Sequence, residues 1–532
     1  LWNFFPVYIL KKLRFEIALK QLVPTFLLKV TGLGFSIFFT TFCAALPTHA
    51  QSILFKQTVA ELVFGEKHLS KFYHTVQYEP LWIGKAKLHR DRRKALFEAI
   101  SGGETHGLPV INYKLPELKK QLQRARSDVD LATIEVRLSK TFLSFAADVQ
   151  TGILIPKKVN MGIYRKVPYR DKFSYLTNFA QNEPKMFFKA LPPSNPEYKR
   201  LLREKLKFQK LVAKGGWGEP LELIQLKPGD TSKAVIKLRN RLISMGYLRR
   251  TLRRKYDENI RVAVTAFQRD HGLNPDGLVG PATLREINVS ASQRLQSILV
   301  TLERIRWSNH DLGDRHVLVN LTDFTAKIID KGIVTFRTRA VVGANDEERR
   351  TPEFSDIMEL IVVNPTWNVP RSIAVGEYLP ELQKNPLALE HLVLFDDLGL
   401  PVERALQDFT IYDEETFPFD IKQPPSAGNA LGMVKFMFPN KHNIYLHDTP
   451  EKDLFSKDRR TFSHGCVRLQ QPFKFAHTLL APQVPDPVKY FEDQLMTGVE
   501  ITINLTDPVP VHLIYRTTLA PAKGRINFRN DI

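Results

Sequence analysis

The chain has 532 residues, 43% apolar and 25% charged; it is too long for one hydrophobic core, and its composition excludes global disorder. Seventy-six Lys and Arg against 56 Asp and Glu leave a formal charge of +20, which asks for an anionic neighbour: nucleic acid, a membrane surface or an acidic polymer. In chain order, Lys11, Lys12, Arg14, Lys20 and Lys29 come first, followed by an uncharged apolar run from Val30 to Leu46. Thr48-His49-Ala50 then sets small residues three and one before a cut after Ala50. The pattern predicts an export signal over 1–50, with an uncleaved inner-membrane anchor as the alternative, because the run is nearly long enough to span. Either way the rest of the chain acts outside the cytoplasm, in the periplasm, and nucleic acid drops out as a partner. The segment carries five basic residues and one acidic one, so +16 stays with the remainder.

Of the two cysteines, Cys43 lies inside that apolar run, where Thr41-Phe42 disfavours lipidation. Cys466 is then a lone thiol in an oxidising compartment, where it can make no internal disulfide and is a liability unless it does something.

Residues 51–222 are polar and rich in helix formers. Leu131, Ile134, Leu138, Phe142 and Phe145 recur at helical spacing and predict a packing stripe in a helical scaffold without visible chemistry. Lys214-Gly215-Gly216-Trp217-Gly218-Glu219-Pro220 marks a boundary. Residues 223–290 read as a compact three-helix unit. Val235, Leu238 and Leu242 share one helical face and Ile260, Val264 and Phe267 another, Asn274-Pro275-Asp276-Gly277 makes a turn, and Pro281 opens the last helix. The Phe267-Gln268, Gly272-Leu273, Asp276-Gly277, Gly280 spacing resembles the peptidoglycan-binding module of wall enzymes. Arg249, Arg250, Arg253, Arg254 and Lys255 fall between its helices and read as a solvated loop, with an anionic-glycan contact as the rival reading.

Beyond His316 the chain turns to short strands: His316–Leu321, Lys327–Ile329, Val334–Val342 and Leu360–Val363. Prolines and acidic residues interrupt the pattern over about 375–427, which reads as an insertion capping a site. The fold class expected is multidomain α+β: a helical scaffold, a three-helix module, and a mainly β domain over 315–532.

The chemistry concentrates in Tyr445-Leu446-His447-Asp448 and Phe462-Ser463-His464-Gly465-Cys466-Val467-Arg468. A cysteine nucleophile needs a base within reach and a lowered thiol pKa. His447 ends an apolar strand, a rigid mount for that base. The Gly465-Cys466 turn offers backbone N–H donors for an oxyanion. Arg468, two residues past the thiol, shares its face and could pair with a substrate carboxylate. A His followed nineteen residues later by the Cys of Ser-His-Gly-Cys-x-Arg resembles the L,D-transpeptidases with a YkuD-type catalytic domain. Arg350–Phe354, Asn364–Pro370, Asn429–Gly432 and Lys435-Phe436-x-Phe438-Pro439-Asn440 extend the likeness toward the large Gram-negative members, although Lys422 and Pro425 depart from it.

The resemblance implies Cys466 as nucleophile, His447 as general base and acid, and the backbone of Gly465 in the oxyanion hole. Tyr445, Ser463, His464, Trp367, Asn429 and Arg468 are the implied substrate contacts. It further implies a ping-pong reaction on peptidoglycan stems. The thiolate attacks the carbonyl at the L-centre of a diamino acid, releases D-Ala, and passes the acyl group to a side-chain amine, giving a 3→3 cross-link. No cofactor or metal is implied, and acylation by carbapenems is. Water, a protein lysine or a D-amino acid as acceptor stay open, as does a non-catalytic wall-binding scaffold.

Overall fold

The computed structural model describes residues 52–222 and 224–532; the expected export segment, its cut site and Cys43 lie outside them. No helix among the described residues is long and apolar enough to cross a membrane.

The helical scaffold is organised on the helix Asp128–Thr151, started by a capping box in which Ser127 and Asp130 satisfy each other's backbone N–H. Ile134, Leu138, Phe142 and Phe145 are buried, and Leu131 is half-buried beside them. Glu135 on the same helix is fully buried. It accepts from Tyr73 Oη at 2.7 Å and from the N–H groups of Leu81, Trp82 and Ile83 at 2.7, 3.0 and 2.8 Å. A buried carboxylate with that many donors holds a loop in place rather than doing chemistry.

The next unit comprises the helices Lys233–Ser244, Glu258–Asp270 and Pro281–Ile287. Its core is built from the two predicted faces, with Leu284 and Ile287 from the third helix. Gln268 explains the spacing seen in the sequence: its amide donates to Asp276 Oδ1, Leu278 O and Thr283 Oγ1 and accepts from Gly277 N. One side chain thus ties the turn to two helices. The Arg249–Lys255 run stays in solvent, with Arg253 paired to Asp257 at 2.9 Å.

The helix Ala291–Trp307 leads into the β domain. Its strands are β1 (Arg315–Asn320), β2 (Thr325–Asp330), β3 (Ile333–Gly343), β4 (Ser355–Val363), β5 (Trp367–Asn368), β6 (Val393–Phe395), β7 (Asp420–Gln423), β8 (Val434–Met437), β9 (Leu446–His447), β10 (Thr461–Ser463), β11 (Val467–Leu469) and β12 (Ile501–Ile514). Nine of them form one sheet in the order β10-β3-β11-β9-β8-β4-β12-β1-β2, and a further β2–β3 pairing closes it on itself. Alternate residues of these strands, among them Val317, Val319, Met358, Val434, Phe436, Leu446, Val467 and Leu469, are buried together with Phe475 and Leu479 of the helix Pro472–Leu480. The tail belongs to the fold, since β12 pairs with both β1 and β4 and Arg529 donates to Asp270 O at 2.8 Å.

The expected insertion is a small subdomain with its own three-stranded sheet, β5-β7-β6. Its core contains Leu379, Leu382, Leu394, Phe409, Phe417 and Ile421. The sheet starts at Trp367, earlier than the change in composition at 375, because β5 pairs with Gln423 and Lys422 from the far end of the excursion.

Candidate active site

Cys466 and His447 come together through strand register. β9 and β11 are parallel neighbours, with Leu446 opposite Val467 and His447 opposite Arg468. Leu446, Val467 and Leu469 point into the core, so period-two alternation puts Tyr445, His447, Cys466 and Arg468 on the other face. That face floors a cleft of about 1030 Å³. Trp367, Ile373, Glu377 and Tyr378 of the capping subdomain line the same cleft, as do Asn443, Ser463 and His464.

The turn before Cys466 is held from two sides. Thr351 Oγ1 donates to Gly465 O at 2.7 Å, and Ser463 Oγ donates to Cys466 O at 2.5 Å. Gly465 has φ +113°, a conformation that favours glycine, and a Cβ there would crowd Ile444 Cδ1 at 3.0 Å. Its N–H donates to Ser463 Oγ at 3.2 Å. The oxyanion donor expected at Gly465 is therefore engaged, whereas the N–H of Cys466 donates to nothing among the described residues.

The thiol is half-buried and donates to Asn443 O at 3.6 Å. His447 is buried, and its Nδ1 has no hydrogen-bond partner. The pair faces one cleft with no hydrogen bond between thiol and imidazole. Asp448, next to His447 in the chain, accepts from Met433 N at 3.0 Å and pairs with Lys452. Arg468 pairs with Glu451. His464 Nε2 meets Glu377 Oε1 at 2.6 Å, which joins the residue two before the thiol to the capping subdomain. Trp367 lines the cleft and meets Tyr378 edge-on, with ring centroids 6.2 Å apart.

Asn429 is not in the cleft. It is fully buried, with Nδ2 donating to Pro365 O, Gln423 O and Pro424 O and Oδ1 accepting from Leu431 N. It shapes the loop that carries Leu431, a lining residue. The sequence reading also missed Glu377, which stands in no motif, and named Lys435 only inside a family-like motif, without a role at the site. The apolar neighbours Val434 and Phe436 were the available signal for Lys435, since strand alternation puts it on the cleft face beside His447. Among the described residues no group of three or more His, Cys, Asp and Glu is placed to hold a metal ion.

A family model described as the L,D-transpeptidase catalytic domain, YkuD, matches residues 314–509. That stretch, little more than a third of the chain, is an L,D-transpeptidase catalytic domain. Further models match at 231–287, described as "Putative peptidoglycan binding domain", and at 67–206, described as a scaffold domain. The chain is 31% identical over 202 residues to a Haemophilus influenzae protein named "Putative L,D-transpeptidase", a match covering 37% of this chain and 39% of that protein. It thus spans about two fifths of the length of this curated relative. Among solved structures, an L,D-transpeptidase from Xylanimonas cellulosilytica is 16% identical, with 56% of this chain and 100% of that one covered and a TM-score of 0.16. One from Stackebrandtia nassauensis is 14% identical, covering 56% and 97%, with a TM-score of 0.21.

The L,D-transpeptidase cleft sets both candidate groups in their neutral forms. Burial pushes the Cys466 thiol up to about 11, opposed by the backbone and hydroxyl of Tyr445 and the charge of Arg468. Burial, then the Arg468 charge, pushes His447 down to about 3. This reverses the lowered thiol pKa expected from the sequence: the one neighbouring cation is already paired with Glu451, and loss of water around the thiol outweighs its charge. The resting pair is thiol and imidazole, and proton transfer belongs to the attack itself. Alkylation of Cys466 by iodoacetamide is accordingly expected to rise about tenfold per pH unit from 6 to 10, followed by mass spectrometry. A plateau near pH 7 would instead reveal a preformed thiolate–imidazolium pair.

Proposed function

We propose that the chain is a cysteine L,D-transpeptidase that forms 3→3 cross-links in peptidoglycan outside the cytoplasm, in the periplasm. The observation that carries this reading is the shared cleft face of β9 and β11, which sets a thiol and a buried imidazole together on adjacent strands. Cys466 Sγ attacks the carbonyl at the L-centre of the diamino acid in a tetrapeptide stem, and His447 takes the thiol proton. The N–H of Cys466 donates to the oxyanion. When the tetrahedral intermediate collapses, the C–N bond breaks, His447 returns the proton to the departing D-Ala amine, and a thioester remains on Cys466. An amine from a second stem then attacks the thioester carbonyl, His447 takes its proton, and the thiol is regenerated as the new amide forms.

The module at 231–287 supports a polymer substrate, which it would keep near the cleft. Incubation of the protein with disaccharide-tetrapeptide, with products weighed by mass spectrometry, is expected to give released D-Ala and a cross-linked dimer. Tripeptide without dimer would overturn cross-linking in favour of hydrolysis, and unchanged substrate would overturn the reading as a whole.

A further inference from the structure

Lys435 stands in the centre of β8, between Val362 of β4 and His447 of β9. Its neighbours Val434 and Phe436 are fully buried in the core, so its own side chain lies on the cleft face and lines the cleft. Lys435, His447 and Arg468 therefore form one row across three adjacent strands. Strand spacing puts the two cations about 10 Å apart at their Cα atoms, with the imidazole between them.

The two differ in one respect. Arg468 is paired with Glu451, whereas Lys435 makes no ion pair and no hydrogen bond among the described residues. No carboxylate that lines the cleft pairs with Lys435: Glu451 is taken by Arg468, and Glu348 makes no ion pair with it. Glu377 meets His464, and Glu500, whose charge reaches Lys435, accepts from Thr366 N and makes no contact with the ammonium. Lys435 is half-buried, and partial loss of water already lowers its pKa. A desolvated cation without a counter-ion in a concave site is costly, and an arriving anion removes that cost.

We propose that Lys435 binds a carboxylate of the donor stem and thereby selects which stem is acylated. The inference rests on the stem-peptide reading above. A tetrapeptide stem offers two candidate carboxylates, one on the side chain of the diamino acid and one at the C-terminus, and both match the ammonium chemically. Three donors separate them: the free stem, the stem amidated at the diamino-acid carboxylate, and the stem amidated at the terminus. Each is compared in the wild type, Lys435→Met and Lys435→Arg.

Amidation of one carboxylate is expected to raise the wild-type KM about tenfold or more. Lys435→Met should raise KM for the free stem by the same factor, with the loss falling on KM rather than kcat. In Lys435→Met that amidation should cost nothing further, and Lys435→Arg should recover most of the loss. Independent, multiplicative losses at both carboxylates overturn the proposal, and so does a fall in kcat at constant KM, which would mark Lys435 as tuning His447 instead. If the wild type turns over no stem, the functional reading fails separately. The rate of Cys466 alkylation by iodoacetate relative to iodoacetamide then decides: the ratio should fall several-fold in Lys435→Met, and an unchanged ratio overturns the anion site.

Discussion

Cys466→Ala is expected to abolish stem turnover, by about 10⁴-fold or more, together with any covalent adduct on the protein. The substitution removes only a sulfur from a half-buried side chain whose polar contacts are a long one to Asn443 O and those with Tyr445, so the fold should be retained. His447→Gln is expected to cost a comparable factor by a different route. The thiol survives it, and alkylation by iodoacetamide at pH 9 should proceed at close to the wild-type rate, because at rest the imidazole holds no proton of the thiol. The two losses should not multiply in the double variant, since nucleophile and base act as one unit. Turnover of His447→Gln within tenfold of wild type would remove His447 from the proton path and make His464, two residues before the thiol, the candidate base. These assays read released D-Ala by amino-acid analysis and adducts by intact mass.

Glu303→Ala is expected to cost about 3–5 kcal/mol of stability, the largest effect foreseen away from the cleft. Glu303 is buried on the helix Ala291–Trp307, where it accepts from Arg306 Nη2 at 2.6 Å, Trp307 Nε1 at 3.1 Å and Leu154 N at 2.8 Å. Arg306 in turn donates to His106 O at 2.9 Å and Tyr198 Oη at 3.1 Å. Removing the carboxylate strands a fully buried guanidinium and orphans two N–H groups across the scaffold junction. Replacing both partners at once, Glu303→Leu with Arg306→Met, should cost less than Glu303→Ala alone. Chemical denaturation tests both, and a Glu303→Ala midpoint indistinguishable from wild type would show that water replaces the carboxylate.

The helical faces and the strands were legible because both rest on hydrophobic periodicity. Val235, Leu238 and Leu242 are buried as their spacing implies, and β1 to β4 fall where the short apolar runs lie. Cys466 and His447 stood out because their residue types are scarce and their neighbours specific. What escaped the sequence was pairing between distant segments. Nothing local announces that Glu377 reaches His464 across 87 positions, or that Gln268 is the tie beneath the Asp276-Gly277 spacing. The electrostatic environment was illegible for the same reason: the lowered thiol pKa expected for a nucleophile ignored how much of the cleft the capping subdomain and Tyr445 shield from water. Asn429 illustrates the converse, since a polar residue in a family-like motif proved to be a buried loop brace whose amide is turned to the backbone around it.

The register between β9 and β11 has a consequence for chain length. Chemistry at this site depends on which rung of the ladder each residue occupies, not on how many residues separate them. The intervening loop includes an exposed stretch at Lys457–Arg459, where added residues could bulge into solvent while both strands kept their partners. The interval of nineteen is thus not a ceiling, and residues added at Lys457–Arg459 should leave the geometry unchanged. Shifting either strand by a single rung would not be tolerated in the same way, because it would turn His447 or Cys466 inward among the aliphatic side chains of the barrel.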